Sequence, residues 1–209
     1  MDLSKQLSLW AIALFAMLAL YAQTASACMC MPSHPQTHFC TADYVVQLRV
    51  LRKSNTLEPG KTTYKVHIKR TYKATPEARH MLRDGRLATP NSDSMCGMQL
   101  DIGKVYIIAG RMPQLNLCNY HKEYIKMTIN ERHGFSGAYG KFCNCTITPC
   151  FGRHCQRQDY ADSCKWSPFA KCERDFSACT PHKTRTPSGD KTLCRWRRTQ
   201  LYKKCLSYP

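Results

Sequence analysis

The chain has 209 residues, with 31 Lys and Arg against 14 Asp and Glu, which gives a formal net charge of +17. It also has 14 cysteines and eight scattered histidines, with no H-E-x-x-H, no G-x-S-x-G and no glycine-rich phosphate loop. No segment after the N-terminal one is apolar and long enough for a transmembrane helix. The composition argues against an enzyme of these classes, and it predicts no intrinsic cofactor and no transmembrane segment.

The N-terminus has the three parts of a secretory signal peptide. Lys5 supplies a positive start, Leu7–Ala22 is the apolar core, and Ala25–Ala27 is a small-residue cleavage pattern. A membrane anchor is the alternative, but the apolar run is shorter than the ~20 residues that span a bilayer. A bacterial lipoprotein site usually carries leucine three residues before its cysteine. We therefore expect residues 1–27 to be removed, which leaves Cys28 first in a protein secreted to the extracellular space and matrix.

The cysteines predict an oxidised framework of seven disulfides, because an even, dense set behind a secretory signal is typical of secreted disulfide scaffolds. Structural zinc is the alternative, since Cys143, Cys145, Cys150 and the pair His154 and Cys155 lie close together in the sequence. Their spacing does not repeat two C-x-x-C pairs, and an oxidising compartment removes thiolates. The count alone leaves the pairing open.

Hydrophobic periodicity predicts elements mainly before residue 144. In chain order they are a short helix, two half-buried strands, a central strand, a further strand and a second helix: Ser33–Ala42, Asp43–Lys53, Tyr64–Lys69, Val105–Ala109, Leu115–Cys118 and Ile125–His133. Several short strands separated by turns suggest a small β-barrel with flanking helices. After residue 144 cysteines crowd the chain and the periodicity is lost, so we expect that part to depend on its disulfides.

Several motifs carry a resemblance to a known family. The run CMCMPSHPQTHFCTADYVV at Cys28–Val46 resembles the N-terminus of the tissue inhibitors of metalloproteinases, whose mature chains start in a C-x-C-x-P-x-H-P-Q-x-x-F-C pattern. Further landmarks of the family resemble DSMCG, YIIAGR, CTITPC and LCRW, at Asp93–Gly97, Tyr106–Arg111, Cys145–Cys150 and Leu193–Trp196. The resemblance covers essentially all of 28–209. Two cysteines beyond the family's usual twelve indicate an insect-type member.

The resemblance implies a fold and a cysteine pairing. The fold is mainly β with flanking helices (α+β): a five-stranded oligosaccharide/oligonucleotide-binding-type barrel, also called netrin-like, over 28–143, then a small disulfide-rich domain over 144–209. The implied bridges are Cys28–Cys96, Cys30–Cys118, Cys40–Cys143, Cys145–Cys194, Cys150–Cys155 and Cys164–Cys179. Cys172 and Cys205 are left over, and we predict that they form a seventh bridge.

The resemblance also implies a function. The chain is expected to be a secreted inhibitor of zinc metalloproteinases, matrix metalloproteinases and related sheddases, acting as a monomer in a 1:1 complex rather than as an enzyme. The α-amine and carbonyl of Cys28 would bind the target's catalytic zinc. The implied protease-contact residues are Cys28, Met29, Cys30, Met31, Pro32, Thr41, Lys61, Asp93, Ser94 and Met95. The family usually has Thr or Ser at Met29, so target preference is expected to differ here.

A rival interpretation is a non-inhibitory netrin-like module that binds extracellular polyanions. Basic residues outnumber acidic ones on both sides of residue 144, and sulfated glycosaminoglycans are abundant outside the cell, where nucleic acid is scarce. Lys65, His67 and Lys69 alternate along one predicted strand and Arg49 lies on its neighbour, which predicts a basic stripe. The plain alternative is a solvated strand face without a ligand.

Overall fold

The computed structural model describes residues 28–55, 57–112, 115–152, 155, 161–186 and 189–207, together with Trp10. The predicted signal peptide therefore lies outside the described residues apart from Trp10, and so does His154. The fold is mainly β with short helices, as predicted. Within the described part of the chain, no helix has both the length and the apolar character of a membrane span.

The largest element is an antiparallel sheet made of β1 (Tyr44–Ser54), β2 (Lys61–Ala74), β3 (Arg86–Pro90), β4 (Val105–Gly110) and β5 (Tyr120–Glu123). The strand order is β3-β2-β1-β4-β5. β3 and β5 are the two edge strands, and among the described residues they do not pair with each other. The sheet is therefore open, whereas the resemblance implies a closed barrel. Both edge strands are short, with five and four residues, which leaves little backbone for a closing ladder.

The sheet carries a hydrophobic core on each face. Successive residues of a strand point to opposite faces, so Val46 packs into one core with Tyr64 and Val45 into the other with Phe39. The first half of β1 is thus buried on both sides. The predicted polar face begins only at Arg49, which is exposed.

The first helix, α1 (Pro35–Thr41), begins later than predicted. Its N-cap is His34 and not Ser33, because the ring Nδ1 of His34 accepts the backbone N–H of Gln36 at 3.1 Å. Pro35 then occupies the first turn, where its missing N–H has no cost. The helix was predicted correctly, but its capping residue was not.

Two further predictions need correction. The expected helix over 125–133 is split into a 3₁₀ turn, Tyr124–Lys126, and α3 (Ile129–His133), because Thr128 and Glu131 form a capping box. The expected strand over 115–118 is wrong, since Asn116 starts a turn there and the strand follows as β5. The sequence prediction also missed β3 and a helix, α2 (Pro76–Leu82), capped by Thr75.

The described residues after 144 form two small sheets and two helices. β6 (Thr146–Pro149) pairs in parallel with β7 (Ser163–Trp166). After α4 (Lys171–Phe176), β8 (Cys179–Thr186) and β9 (Gly189–Trp196) form an antiparallel hairpin, followed by α5 (Gln200–Ser207). The core of this segment consists of half-cystines with Ile147 and Trp166. Disulfide sulfur replaces much of the aliphatic packing that a larger unit would use.

All cysteines are in disulfides. The bridges join Cys28–Cys96, Cys30–Cys118, Cys40–Cys143, Cys145–Cys194, Cys150–Cys155, Cys164–Cys179 and Cys172–Cys205. These are the pairs that the resemblance implies, together with the additional pair. The cysteines of the zinc alternative have no thiolate to offer a metal.

Candidate functional site

The segment Cys28–Pro32 contains no helix or strand, and its cysteines alternate with exposed side chains. Cys28 and Cys30 are each bonded to the body of the protein. Met29 is 93% exposed and Met31 is 71% exposed. Neighbouring large apolar side chains in solvent are typical of a contact surface. The two disulfides therefore hold a short segment that presents its methionines outward.

A second exposed segment lies beside the first. Asp93–Met95 forms one 3₁₀ turn, and Cys96 ends it in the left-handed conformation with φ 60°. Ser94 is exposed, as is Met95 at 52%. Because Cys96 is bonded to Cys28, this turn lies next to the start of the first segment. Residues 28–32 and 93–95 are called the ridge below.

The two disulfides under the ridge meet at one point. The backbone N–H of Leu117, the residue before Cys118, donates to the carbonyl of Cys96 at 2.8 Å. This hydrogen bond holds Cys96 and Cys118, the partners of Cys28 and Cys30, close together. The sulfurs of Cys28, Cys96 and Cys118 lie within 4.8 Å of one another. All three are half-cystines, so the group is a covalent junction and not a metal site.

The structure places Lys61 near the second segment of the ridge and Thr41 at the end of α1. Lys61 pairs with Pro90 across β2 and β3, just before the ridge turn, and its ammonium contacts Glu58 at 2.6 Å. Thr41 ends α1, where its described contacts are with Thr37 and Arg111. The structure therefore brings Lys61 close to the turn, whereas the hydrogen bonds described for Thr41 are with Thr37 and Arg111.

Directly after the ridge, a buried histidine joins α1 to the C-terminal segment. Because Nδ1 of His34 accepts a hydrogen bond, Nε2 carries the proton and donates to the carbonyl of Glu173 at 3.1 Å. The ring packs against Trp166 and Trp196. Burial lowers the pKa of His34 from 6.5 to about 4, so the imidazole is neutral at physiological pH.

Gln36 makes the second connection. Its amide nitrogen donates to the carbonyls of Cys179 at 2.9 Å and Phe142 at 3.2 Å, and its oxygen accepts the N–H of Cys179 at 2.9 Å. We call His34 and Gln36 the clasp. Sequence reasoning assigned no role to the clasp. The available signal was its place in the H-P-Q part of the N-terminal pattern, which does not reveal a partner more than 100 residues away.

The predicted basic stripe is only partly continuous. Arg49 lies opposite His67 in the register of β1 and β2, and a bulge inserts Lys69 two residues further along β2. These three side chains are exposed. Lys65 is half-buried, and its ammonium donates to the carbonyl of Asp84 at 2.6 Å. Arg49 and Lys69 are therefore available to a ligand on an exposed part of the sheet. Lys65 is not, because its ammonium is held by Asp84.

Comparisons with known proteins show what the chain is similar to. Residues 26–196 match the family model described as tissue inhibitor of metalloproteinase. The chain is 68% identical to the tissue inhibitor of metalloproteinase of Drosophila melanogaster over the full length of both. It is 31% identical to metalloproteinase inhibitor 3 of Gallus gallus, over 63% of this chain and 64% of that one. It is also 28% identical to metalloproteinase inhibitor 2 of Rattus norvegicus, over 72% of each. The chain belongs to the tissue inhibitor of metalloproteinase family.

Proposed function

We propose that this chain is a secreted inhibitor of zinc metalloproteinases and that the ridge enters the active-site cleft of the target. The observation that carries the proposal is the start of the ridge. Cys28 follows the predicted cleavage point, is bonded to Cys96 and precedes the almost fully exposed Met29. A purely structural half-cystine has no need to stand at that point in the chain.

The chemistry follows from removal of residues 1–27. A free α-amine has a pKa of about 7.7 to 8.0, so roughly a fifth to a third of it is neutral at physiological pH and offers a lone pair, far more than for a lysine. The amine and the carbonyl oxygen of Cys28 together form a five-membered chelate toward the target's catalytic zinc. They replace the water that attacks substrate. No residue precedes Cys28 in the cleaved chain, so there is no peptide bond at the zinc to hydrolyse.

The disulfides under the ridge support tight binding. Association costs free energy when mobile segments become ordered, and a segment that is already held loses less on binding. Cys28 and Cys30 are both anchored, so residues 29–32 lie along the cleft with little further ordering. Met29 points into the specificity pocket. Because methionine is long and flexible, we expect a preference for proteases with deep apolar pockets.

We further propose that residues 28–143 form the inhibitory domain and 144–209 a second domain. Each of these two parts has a hydrophobic core of its own. The clasp connects the two parts, because His34 and Gln36 follow the ridge closely in the chain and hydrogen-bond to Glu173 and Cys179. In this arrangement the ridge is available to the target protease, and the second domain is joined to the first by the clasp.

The experiment that tests the chelation mechanism changes only the terminus. One alanine is added before Cys28, or the amine is acetylated, and inhibition of a metalloproteinase catalytic domain is measured against the protein with a free Cys28. We expect inhibition to be lost, because the extra residue occupies the space at the zinc and acetylation removes the lone pair. A matched alanine added at the C-terminus should change nothing. Full inhibition with a blocked terminus and an intact fold would refute the mechanism.

The alternative function, a polyanion-binding module, is favoured by the exposed Arg49 and Lys69. Binding by cation release weakens steeply with salt, whereas zinc chelation in a closed cleft does not. The triple change Arg49→Gln, Lys65→Gln and Lys69→Gln should elute earlier from heparin and inhibit unchanged. Unaltered elution would exclude the stripe. N-terminal sequencing separates the two functions, since a start before Cys28 leaves the polyanion module as the better account.

A further inference from the structure

A concave cleft of about 870 Å³ lies between the β8–β9 hairpin and α5. Strand pairing, hydrogen bonds and a disulfide hold the elements that surround the cleft. Thr180 pairs with Arg195 across the hairpin, and the N–H of Arg197 donates to the carbonyl of Ala178 at 2.8 Å. The Thr199 hydroxyl caps α5, which the Cys172–Cys205 bridge ties to α4. A volume in this range is typical of sites that bury a ligand.

The rim of the cleft is positively charged. It carries Arg195, Arg197, Arg198 and Lys203, and none of its described lining residues is acidic. Arg197, Arg198 and Lys203 are exposed, and within the described ranges none of these three forms an ion pair. Guanidinium groups bind carboxylates in a bidentate geometry. The rim therefore complements a ligand with several negative charges.

Apolar and aromatic side chains also line the cleft. They are Phe142, Trp196, Tyr202 and Leu206 and are called its floor below. Tyr202 is fixed because its hydroxyl donates to Glu173 at 3.0 Å. Trp196 is fixed through its ring N–H, which donates to the carbonyl of Lys165 at 3.0 Å. Aromatic side chains that are held in place are typical anchors for an apolar side chain of a partner.

We propose that this cleft binds an acidic peptide segment of a partner protein, with an aromatic or aliphatic side chain on the floor and carboxylates at the rim. A sulfated polysaccharide satisfies the charge of the rim but has few apolar groups for the floor, and a flat basic surface suits it better. The inference concerns a surface separate from the ridge and does not depend on the proposed inhibitory mechanism.

A direct binding measurement tests the proposal. The probe is a short fluorescein-labelled peptide in which glutamates alternate with phenylalanines, titrated with the full secreted protein and followed by anisotropy. We expect saturable binding that weakens as salt rises. The double variant Arg198→Glu and Lys203→Glu should bind at least about tenfold more weakly, because it replaces two attractive charges with repulsive ones. Both side chains are exposed, so the fold should be retained.

The controls separate the cleft from general basicity. Arg79→Glu with Arg83→Glu makes the same change in net charge on exposed residues in and directly after α2, away from both the cleft and the basic stripe, and it should bind the peptide like the parent protein. A peptide with serine in place of phenylalanine should bind less tightly, because the floor is then unused. Equal weakening in both double variants, equal affinity for the serine peptide, or displacement of the acidic peptide only by heparin oligosaccharides would overturn the proposal.

Discussion

Replacing Gln36 with alanine should destabilise the protein far more than its position in a short helix suggests. Three well-formed hydrogen bonds are lost, two with Cys179 and one with Phe142, and each contributes about 1 kcal/mol net. The N–H of Cys179 is also left buried without a partner, which costs about a further 1 kcal/mol or more. We expect the free energy of unfolding to fall by roughly 3–5 kcal/mol.

The assay is guanidinium denaturation at neutral pH with the disulfides intact. Gln47→Ala is the matched control, because Gln47 is half-exposed and its side chain accepts one hydrogen bond from Tyr72 at 3.2 Å. It should cost no more than about 1 kcal/mol. Hydrogen exchange at the Cys179 amide should accelerate in the Gln36 variant only. A loss for Gln36→Ala no greater than for the control would refute the reasoning that the clasp stabilises the fold.

Three further results are expected. The pKa of His34 is lowered from 6.5 to about 4 mainly by burial, so between these pH values the unfolded chain binds a proton that the folded chain does not. Stability should therefore fall by up to about 3 kcal/mol as pH drops through this window, and His34→Asn should reduce that slope in denaturation at several pH values. Replacing Cys172 and Cys205 with serine should cost about 2–4 kcal/mol in the same assay, because the bridge spans 33 residues. Gly110→Ala should lower the melting temperature, since a new Cβ would overlap the ring of buried Tyr44.

The main strands of the sheet, the family and the disulfide pairs were predictable from the sequence. Period-two alternation predicted β1 and β2, and the spacing of the N-terminal motif indicated the family and with it the cysteine pairs. The alternation of apolar and polar residues around Val46 involves only residues that are adjacent in the chain, so it can be recognised before the fold is known. The predictions failed where two local signals competed. Thr128 and Glu131 interrupt an otherwise continuous helical pattern, and an asparagine turn replaces the expected strand over 115–118.

By itself the sequence determined which residues are available: a cysteine at the predicted processing point, methionines beside it, and an excess of cations. Only the tertiary structure decided what they face. The clasp, the bulge at Lys69 and the basic cleft beside α5 all join residues that are distant in the chain or shifted in register. Hydrogen bonds and charges of this kind depend on distances of a few ångströms between separate elements, and such distances exist only after the hydrophobic cores and disulfides have brought those elements together.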